Sequence, residues 1–335
     1  MTEMFEIREP DDFHVHLRTG TMLEDVAYLT ARQFKRALIM PNTIPPILTA
    51  RDVRRYRREI DFLTPWLNPL MTIQITDATT PAMIDDAIAV DAVAGKVYPL
   101  GVTTNSQNGI TSFEKKYPVF EKMQETGMAL PIHGELPDPE CFCLNRETGF
   151  FHIVSEISHN FPSLKIILEH ITTEAATVFV LHHKNVAATI TVHHLLLTLD
   201  DVVGGMLHPH HFCKPIAKYP SDRSALIKAA TSGFPRFFFG SDSAPHLREN
   251  KECSNGCAGV FSAPVALPLL VQIFNKHNAL DKLENFTSGF GADFYGLPRN
   301  EGKKKLIEKD WVVPQQYDGI VPFMTGETLH WQVAE

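Results

Sequence analysis

The chain has 335 residues, of which 44% are hydrophobic and 21% are charged, a balance that is ordinary for a folded, water-soluble protein and excludes wholesale disorder. Its formal net charge is −8 without an extended block of lysines or arginines, so the basic footprint of a nucleic-acid-binding protein is absent. No stretch approaches the roughly 18 apolar residues of a membrane span, and the start MTEMFEIREP lacks the basic and apolar regions of a signal peptide. We therefore expect a cytoplasmic protein with no nucleic-acid or membrane partner.

Cysteine usage also favours a reducing compartment, because the number of cysteines is odd. They are Cys141, Cys143, Cys213, Cys253 and Cys257. The two closely spaced pairs could form a structural zinc site, although neither has the usual two-residue spacing. Reduced thiols are the simpler interpretation.

Eight short apolar runs alternate with amphipathic segments along the chain. Each run is rich in Val, Ile, Phe or Leu, as a buried parallel strand should be. The predicted strands cover residues 13–17, 36–41, 71–76, 95–100, 129–134, 164–170, 186–192 and 236–242. Helices are predicted for segments such as 22–34, 50–63, 81–95 and 113–127, the last two closing on Gly95 and Gly127 as helix C-caps. Eight βα units predict an α/β fold, the (β/α)8 or TIM barrel.

Two regions depart from this alternation. Residues 195–222 contain a Gly-Gly pair, His-Pro steps and little helical periodicity, so the seventh connection is predicted to be a long structured loop. A C-terminal extension of helices is predicted after residue 262. No internal repeat, low-complexity segment or linker marks a boundary, and we expect residues 1–335 to form one domain.

Polar side chains gather at the predicted strand ends, where the chemistry of a TIM barrel is located. In DDFHVHLR, residues 14, 16 and 18 would share one face of a strand while Phe13, Val15 and Leu17 face the other. Alone, this spacing also suits a half-exposed edge strand that happens to carry histidines. The full set at the strand ends is hard to explain as packing: His14, His16, Arg18, Asn42, Lys96, His133, His170, Asp242 and His246.

Four histidines and an aspartate could act as ligands of two divalent metal ions, since imidazole and carboxylate groups both bind zinc. Two such ions about 3.5–4 Å apart can hold a hydroxide that is a nucleophile at neutral pH. Lys96 does not fit this set, because an ammonium cannot bind a metal. It could form a salt bridge, form a Schiff base as in an aldolase, or react with carbon dioxide to give a carbamate that bridges the metals.

Nine sequence segments together resemble a known family. They are DDFHVHLR, LIMPNTIPP, GKVYPLGVTTNS, LPIHGE, IILEHITT, NVAATITVHHLLL, HHFCKPI, FFGSDSAPHLRENKE and GETLHW, in order along nearly the whole chain. The combination is similar to the single-function dihydroorotases of the amidohydrolase superfamily. This resemblance implies a binuclear zinc enzyme that interconverts N-carbamoyl-L-aspartate and L-dihydroorotate in pyrimidine synthesis. We expect a homodimer acting on this small-molecule substrate.

The resemblance also implies roles for individual residues. For two zinc ions per chain it implies His14, His16 and Asp242 at the more buried metal, His133 and His170 at the other, and carbamylated Lys96 bridging both. Asp242 would also be the catalytic acid and base. Substrate contacts would come from Arg18, Asn42 and His246 at the carboxylate, from His133, from backbone groups of Lys214 and Ala258 at the ring amide edges, and from Thr103 and Thr104 in a mobile lid formed by residues 101–109.

Some features fall outside this assignment. The loop PLGVTTNSQNG departs from the most familiar bacterial pattern, which has Ala-Asn before the threonines, and the strand-seven connection TVHHLLLTLDD carries an extra acidic pair. These changes put loop behaviour and oligomer contacts in doubt and leave the metal centre untouched. Structural or surface roles are predicted for the remaining histidines of interest: His182, His183, His193, His194, His208, His210 and His211.

Three other functions remain alternatives. A hydantoinase or allantoinase could share the metal ligands, but Arg18, Asn42 and His246 indicate a substrate carboxylate outside the ring. A catalytically dead scaffold on the same barrel would usually lack metal ligands, and none is missing here. A Schiff-base lyase would use Lys96 as its nucleophile.

Overall fold

The central feature of the fold is a sheet of eight parallel strands arranged in sequence order. The computed structural model describes residues 4–334. The strands are β1 (Met4–Arg8), β2 (Asp11–Val15), β3 (Arg36–Ile39), β4 (Asn68–Ile75), β5 (Ala92–Val97), β6 (Leu130–Ile132), β7 (Ile166–Leu168), β8 (Val186–Ile190), β9 (Phe237–Phe239), β10 (Lys303–Val312) and β11 (Thr328–Val333), of which β2 to β9 form this sheet.

Helices cover the outside of the sheet between successive strands. They are α1 (Thr21–Gln33), α2 (Ala50–Leu63), α3 (Pro81–Ile88), α4 (Tyr117–Thr126), α5 (Arg146–Asn160), α6 (Glu174–His182), α7 (Asp200–Val203), α8 (Pro220–Thr231), α9 (Arg248–Lys251), α10 (Ala266–Lys276), α11 (Leu280–Glu284) and α12 (Phe290–Tyr295). A π-helical turn at residues 285–289 joins the last two helices. The predicted TIM barrel is confirmed, with every predicted strand overlapping an observed one.

The barrel is closed by backbone hydrogen bonds between β2 and the segment that follows β9. The Asp242 amide donates to the His14 carbonyl over 2.8 Å, and the His16 amide donates to the Ser243 carbonyl over 3.0 Å. The buried carboxylate of Asp12 spans the same seam, since its Oδ1 accepts from the amides of His14 at 3.1 Å and Ser241 at 2.8 Å. Residues of the predicted site therefore form the closure of the barrel.

Aromatic side chains fill the barrel below the strand ends. Phe13 stacks on Tyr295 with ring centroids 5.0 Å apart and meets the edge of Phe238 at 5.4 Å. Phe13 belongs to this interior cluster, whereas Val15 packs in the outer core. The expectation that Phe13 and Val15 share a face is therefore wrong, because the β2–β3 register shifts between Asp12 and Val15.

Local chemistry explains where the helices begin and end. Thr49 and Asp52 form a reciprocal capping box at the start of α2, and Gly127 caps α4 in the left-handed conformation with φ of 73°. The predicted helix 81–95 is wrong in its second half. It ends at Ile88, and Gly95 lies in β5, where an added Cβ would meet the Ile75 side chain at 2.8 Å.

The two irregular regions are confirmed with additions. The seventh connection is a long loop that holds the short helix α7 and a 3-10 turn at residues 209–211 before α8 begins. The C-terminal extension contains helices α10 to α12, and also strands β10 and β11, which pair antiparallel with each other while β1 joins β10. The sequence analysis did not foresee this second sheet. Among residues 4–334, no helix has the length and apolarity needed to cross a membrane.

The packing of α12 against the barrel floor gives a test of the fold. A Cβ added at Gly291 would overlap the Phe13 ring, which is itself wedged between two other aromatic rings. Gly291→Ala should therefore lower the free energy of unfolding by about 1–3 kcal/mol, measured by urea denaturation. The matched control is Gly149→Ala in α5, where the one close approach of the new Cβ would be to the flexible end of the Leu136 side chain at 2.6 Å, and its other contacts, to Leu136 Cγ and Cys141 Sγ, would be ordinary. Equal loss in both variants would contradict this account of the floor.

Candidate active site

The C-terminal strand ends converge on one cavity. It is lined by His14, His16, Arg18, Asn42, Tyr98, Thr103, Thr104, His133, His170, Lys214, Asp242, Ala244, Ala258 and Gly259. All the predicted site residues except Lys96 and His246 line it directly. These two lie immediately around it, because Lys96 packs on the ring of Tyr98 and His246 contacts Arg18 and Ala258.

Three predicted metal ligands come together at the closure of the barrel. Asp242 Oδ1 lies 3.3 Å from His14 Nε2 and 3.2 Å from His16 Nε2. A tetrahedral zinc ion, at about 2.0–2.2 Å from each ligand, places its ligand atoms roughly 3.4 Å apart. The spacing of these three buried donors therefore fits a zinc ion.

A buried carboxylate orients His14 within this group. Glu169 Oε2 lies 2.7 Å from His14 Nδ1 and accepts a hydrogen bond from the Thr189 hydroxyl at 2.6 Å. Burial alone would raise the pKa of Glu169, but His14 and Lys96 lower it below its usual value, so Glu169 stays ionised. This contact keeps the proton of His14 on Nδ1. The lone pair of Nε2 is then available to bind a metal, as in other carboxylate–histidine–metal arrangements.

The other two predicted histidine ligands face each other beside this group. The ring centroids of His133 and His170 are 4.8 Å apart, and His170 lies 5.0 Å from His14. Glu135 Oε2 engages His133 Nε2 at 2.7 Å, which leaves Nδ1 free. His170 Nδ1 is buried with no hydrogen-bond partner among the described residues. The pair can thus offer two ring nitrogens to a second ion.

Backbone strain accompanies this convergence. His170 and Asp242 both have φ of 43°, and Arg18 has φ of 63°, a left-handed region that residues other than glycine seldom adopt. Such conformations cost about 1–3 kcal/mol each and persist where the surrounding structure enforces them. At these residues the strain turns each side chain from the strand end into the cavity.

Lys96 is completely buried on β5, and its amine has no hydrogen-bond partner in the part of the chain that is described. The amine lies 5.1 Å from the centroid of the Tyr98 ring. Burial lowers the pKa of Lys96 to about 8, although the carboxylates of Glu169 and Asp242 oppose that shift. The salt-bridge interpretation of Lys96 is not supported, since no ion pair satisfies it within residues 4–334. A lowered pKa favours the neutral amine, the form that reacts with carbon dioxide.

Arg18 and its neighbours form a cationic and polar wall of the cavity. Arg18 donates from Nε to the Pro245 carbonyl at 2.9 Å, and its Nη2 lies 3.0 Å from His246 Nε2. Tyr56 donates from its hydroxyl to the Arg18 carbonyl. Burial lowers the pKa of His246 to about 3, with a further contribution from Arg18, so His246 is neutral at physiological pH. The guanidinium is thus held by neutral neighbours, and within residues 4–334 no carboxylate forms an ion pair with it.

The loop of residues 101–109 lies across the cavity. Asn42 Nδ2 donates to the Thr104 carbonyl at 3.0 Å, and Asn105 Nδ2 donates back to the Asn42 carbonyl at 3.1 Å. The Thr104 hydroxyl donates to the Ala258 carbonyl at 3.4 Å. These bonds join the loop to both sides of the pocket, and its mobility stays a prediction.

A second group of possible ligands, His193, His194 and Cys213, is buried next to the cavity. His194 is already engaged through both ring nitrogens, Nδ1 with the Thr191 hydroxyl at 2.9 Å and Nε2 with the Pro215 carbonyl at 3.0 Å. This bonding agrees with a structural role for His194.

Several neighbours of the cavity were missed by the sequence analysis, although some carried a signal. Glu169 immediately precedes His170, and Glu135 follows His133 by two residues. Tyr98 follows Lys96 by two residues, which places both on the same face of a strand. Ala244 and Gly259 line the cavity through loop geometry that the sequence does not reveal.

The contact between Glu169 and His14 gives a test of the site. Glu169→Gln should lower the affinity for metal by about 10–100-fold, because an amide holds the imidazole less strongly than a carboxylate. Metal retained after dialysis against graded chelator measures the change. Glu147→Gln is the matched control, since Glu147 is also buried but contacts Thr172 and Lys218 instead of a histidine. If both variants retain metal equally, Glu169 does not orient a ligand.

No family model matches the chain. A dihydroorotase from Teredinibacter turnerae is 44% identical over 342 residues, which cover 99% of this chain and 99% of that protein. A crystal structure of dihydroorotase from Saccharomyces cerevisiae, in complex with 5-fluoroorotic acid, is 40% identical with a TM-score of 0.94, and the match covers 99% of this chain and 98% of that one. The L-hydantoinase of Arthrobacter aurescens is 16% identical with a TM-score of 0.83, covering 98% of this chain and 83% of its own, and shares the fold alone.

The identity extends over the full length of the relatives and accompanies a cavity lined by histidine, aspartate and arginine side chains at the end of a TIM barrel. The chain belongs to the dihydroorotase family of the amidohydrolase superfamily, whose members are hydrolases that act on cyclic amides.

Proposed function

We propose that this cavity interconverts N-carbamoyl-L-aspartate and L-dihydroorotate, with the residues that the sequence analysis assigned to each step. The observation that carries the proposal is that one small cavity combines a candidate metal site with a cationic side chain. His14, His16 and Asp242 lie at metal-ligand spacing beside Lys96, and Arg18 lines the same cavity. The yeast relative in complex with 5-fluoroorotic acid supports a ring carboxylate as the ligand class.

We assign two zinc ions to this chain. His14, His16 and Asp242 would hold one ion, His133 and His170 the other, and a carbamate on Lys96 would join them. The buried amine of Lys96, with its pKa lowered to about 8, supports the carbamate, because a charged ammonium next to two cations would be strongly disfavoured. When bound, such a metal pair lowers the pKa of water and polarises a carbonyl group.

Asp242 would move the proton in both directions of the reaction. Its Oδ1 faces His14 and His16, which leaves Oδ2 to accept a proton from the attacking water and deliver it to the ring nitrogen during hydrolysis. During cyclisation the same oxygen would take the proton from the ureido nitrogen. Burial raises the pKa of Asp242, and His14 opposes the shift.

The substrate carboxylate would bind on the cationic wall. The fork of Arg18 suits a bidentate contact, with Asn42 and His246 beside it. The buried Oδ1 of Asn42 has no partner among the described residues, but an amide oxygen only accepts hydrogen bonds, so Asn42 would meet the carboxylate through Nδ2. Backbone groups of Lys214 and Ala258 would meet the amide edges of the ring, and Thr103 and Thr104 would close over it.

The alternatives fit less well. A hydantoinase would have no use for the half-buried Arg18, and hydantoinases match this chain at the level of fold only. A Schiff-base lyase would require substrate to reach Lys96, which is wholly buried and does not line the cavity. A single domain over residues 1–335, a homodimer and a cytoplasmic location stay predictions of the sequence analysis.

An assay of dihydroorotate hydrolysis, with metal analysis of the same sample, tests the function. We expect about two zinc ions per chain and a mass increment of one carbon dioxide on Lys96. Lys96→Ala should lose activity and most of the metal but keep its fold, because the aromatic barrel floor lies elsewhere. An active Lys96→Ala enzyme, or active protein with less than about one metal ion per chain, would refute the bridged pair.

Two substitutions separate chemistry from binding. Asp242→Asn should lower kcat by a factor of at least about 10³, because the residue combines metal binding with proton transfer. Arg18→Lys should instead raise KM, because a point charge cannot reproduce the guanidinium fork. Steady-state kinetics in both directions measure the two effects, and metal analysis identifies any loss of metal. An unchanged KM in Arg18→Lys would refute the assignment of the carboxylate to this wall.

A further inference from the structure

Lys251, the last residue of α9, is a buried lysine that the proposed chemistry does not use. Its side chain is 3% exposed, and its ammonium donates to the carbonyl oxygens of Gly259 at 2.5 Å and Phe212 at 3.0 Å. Burial lowers the pKa of Lys251 to about 8. A buried charge satisfied by two backbone carbonyls costs free energy, and charge-assisted bonds of this kind hold their partners firmly.

The two carbonyls belong to separate loops that meet at the cavity. Phe212 comes two residues before Lys214 in the long connection after β8, and Gly259 follows Ala258 in the connection after β9. Both Lys214 and Ala258 line the cavity. The Gly259 amide also donates to the Phe212 carbonyl at 2.9 Å. The two loops are therefore bonded to each other, and each is also bonded to the ammonium of Lys251.

Gly259 shows how closely this junction is packed. Its φ is 151°, and a Cβ added there would overlap the Ala244 carbonyl oxygen and approach the His246 ring at 3.0 Å. The loop is thus confined between the cavity wall and Lys251. Movement of the Gly259 carbonyl would carry Ala258 with it.

We propose that Lys251 is a positioning residue that fixes the spacing between the Lys214 and Ala258 backbones and so sets the affinity for the substrate ring. The inference rests on the proposed function, in which these two backbones meet the ring amide edges. One backbone hydrogen bond joins the two loops directly, and the Lys251 ammonium adds a contact to each of them. The ammonium of Lys251 reaches both loops from outside the cavity and touches neither substrate nor metal ligands.

Contacts to the ring edges exist in the bound substrate as well as in the transition state, so weakening them should act on KM and leave kcat nearly unchanged. Lys251→Met removes the ammonium at similar volume. It should raise KM for dihydroorotate by roughly tenfold, the order expected when one or two hydrogen bonds are lost. The metal content should stay at the wild-type value.

The chain offers a matched control in Lys116. This lysine is 6% exposed and likewise donates to two backbone carbonyls, those of Asp77 at 2.6 Å and Thr79 at 3.2 Å, none of which lines the cavity. We expect both Lys116→Met and Lys251→Met to lower the midpoint of thermal unfolding. Lys116→Met should leave KM at its wild-type value. Lys251→Arg keeps the charge and donors in a different geometry, and should raise KM by a smaller factor than Lys251→Met.

The experiment compares these three variants with the wild-type holoenzyme by steady-state kinetics, metal analysis and thermal unfolding. A KM unchanged in Lys251→Met, or raised equally in Lys116→Met, overturns the positioning role. If Lys251→Met does not fold, Lys251→Arg decides, and a wild-type KM there overturns the proposal. Failure of the proposed function is distinct, because the wild-type enzyme would then not hydrolyse dihydroorotate.

Discussion

The closure of the barrel is the constraint on which the site depends. β2 and the segment after β9 are joined by the backbones of His14, His16, Asp242 and Ser243, and the first three of these residues also line the cavity. Ligand spacing is therefore set by the ladder of hydrogen bonds that completes the sheet. A rigid scaffold positions the donor atoms more accurately than a loop could, and the 3.2 and 3.3 Å separations between them reflect this.

Around this seam the interior contains polar and ionisable side chains, whose burial without a partner costs free energy. Lys96, Asn42 and His170 each keep a buried polar atom without a partner among the described residues, while Glu169 and Glu135 each hold a histidine ring. In a stable core such unpaired groups are rare, and they concentrate where a ligand completes them. The cavity thus combines carboxylate oxygens and neutral ring nitrogens with the guanidinium of Arg18.

The sequence was informative where a rule acts locally. Buried parallel strands are continuous apolar runs, so all eight were found, and Gly127 ended its helix as expected. Gly95 did not end a helix. The segment AVDAVAG is compatible with a helix or a strand, and pairing with β4 makes its second part a strand. The sheet of β1, β10 and β11 joins distant segments that alternate weakly, and the roles of Glu169 and Lys251 depend on contacts across loops. No local pattern contains that information.

The closure also determines when during folding the site can exist. His14 and Asp242 lie at opposite ends of the barrel sequence, and the seam pairs residues as far apart as Asp12 and Ser241, a separation of 229 positions. Contacts of such high sequence separation form late, after the cost in chain entropy of joining the ends has been met. During synthesis the two histidines of β2 leave the ribosome long before their aspartate partner is made. A truncated or half-folded chain therefore carries imidazoles without a binding site, and the ability to retain metal reports that the barrel has been completed.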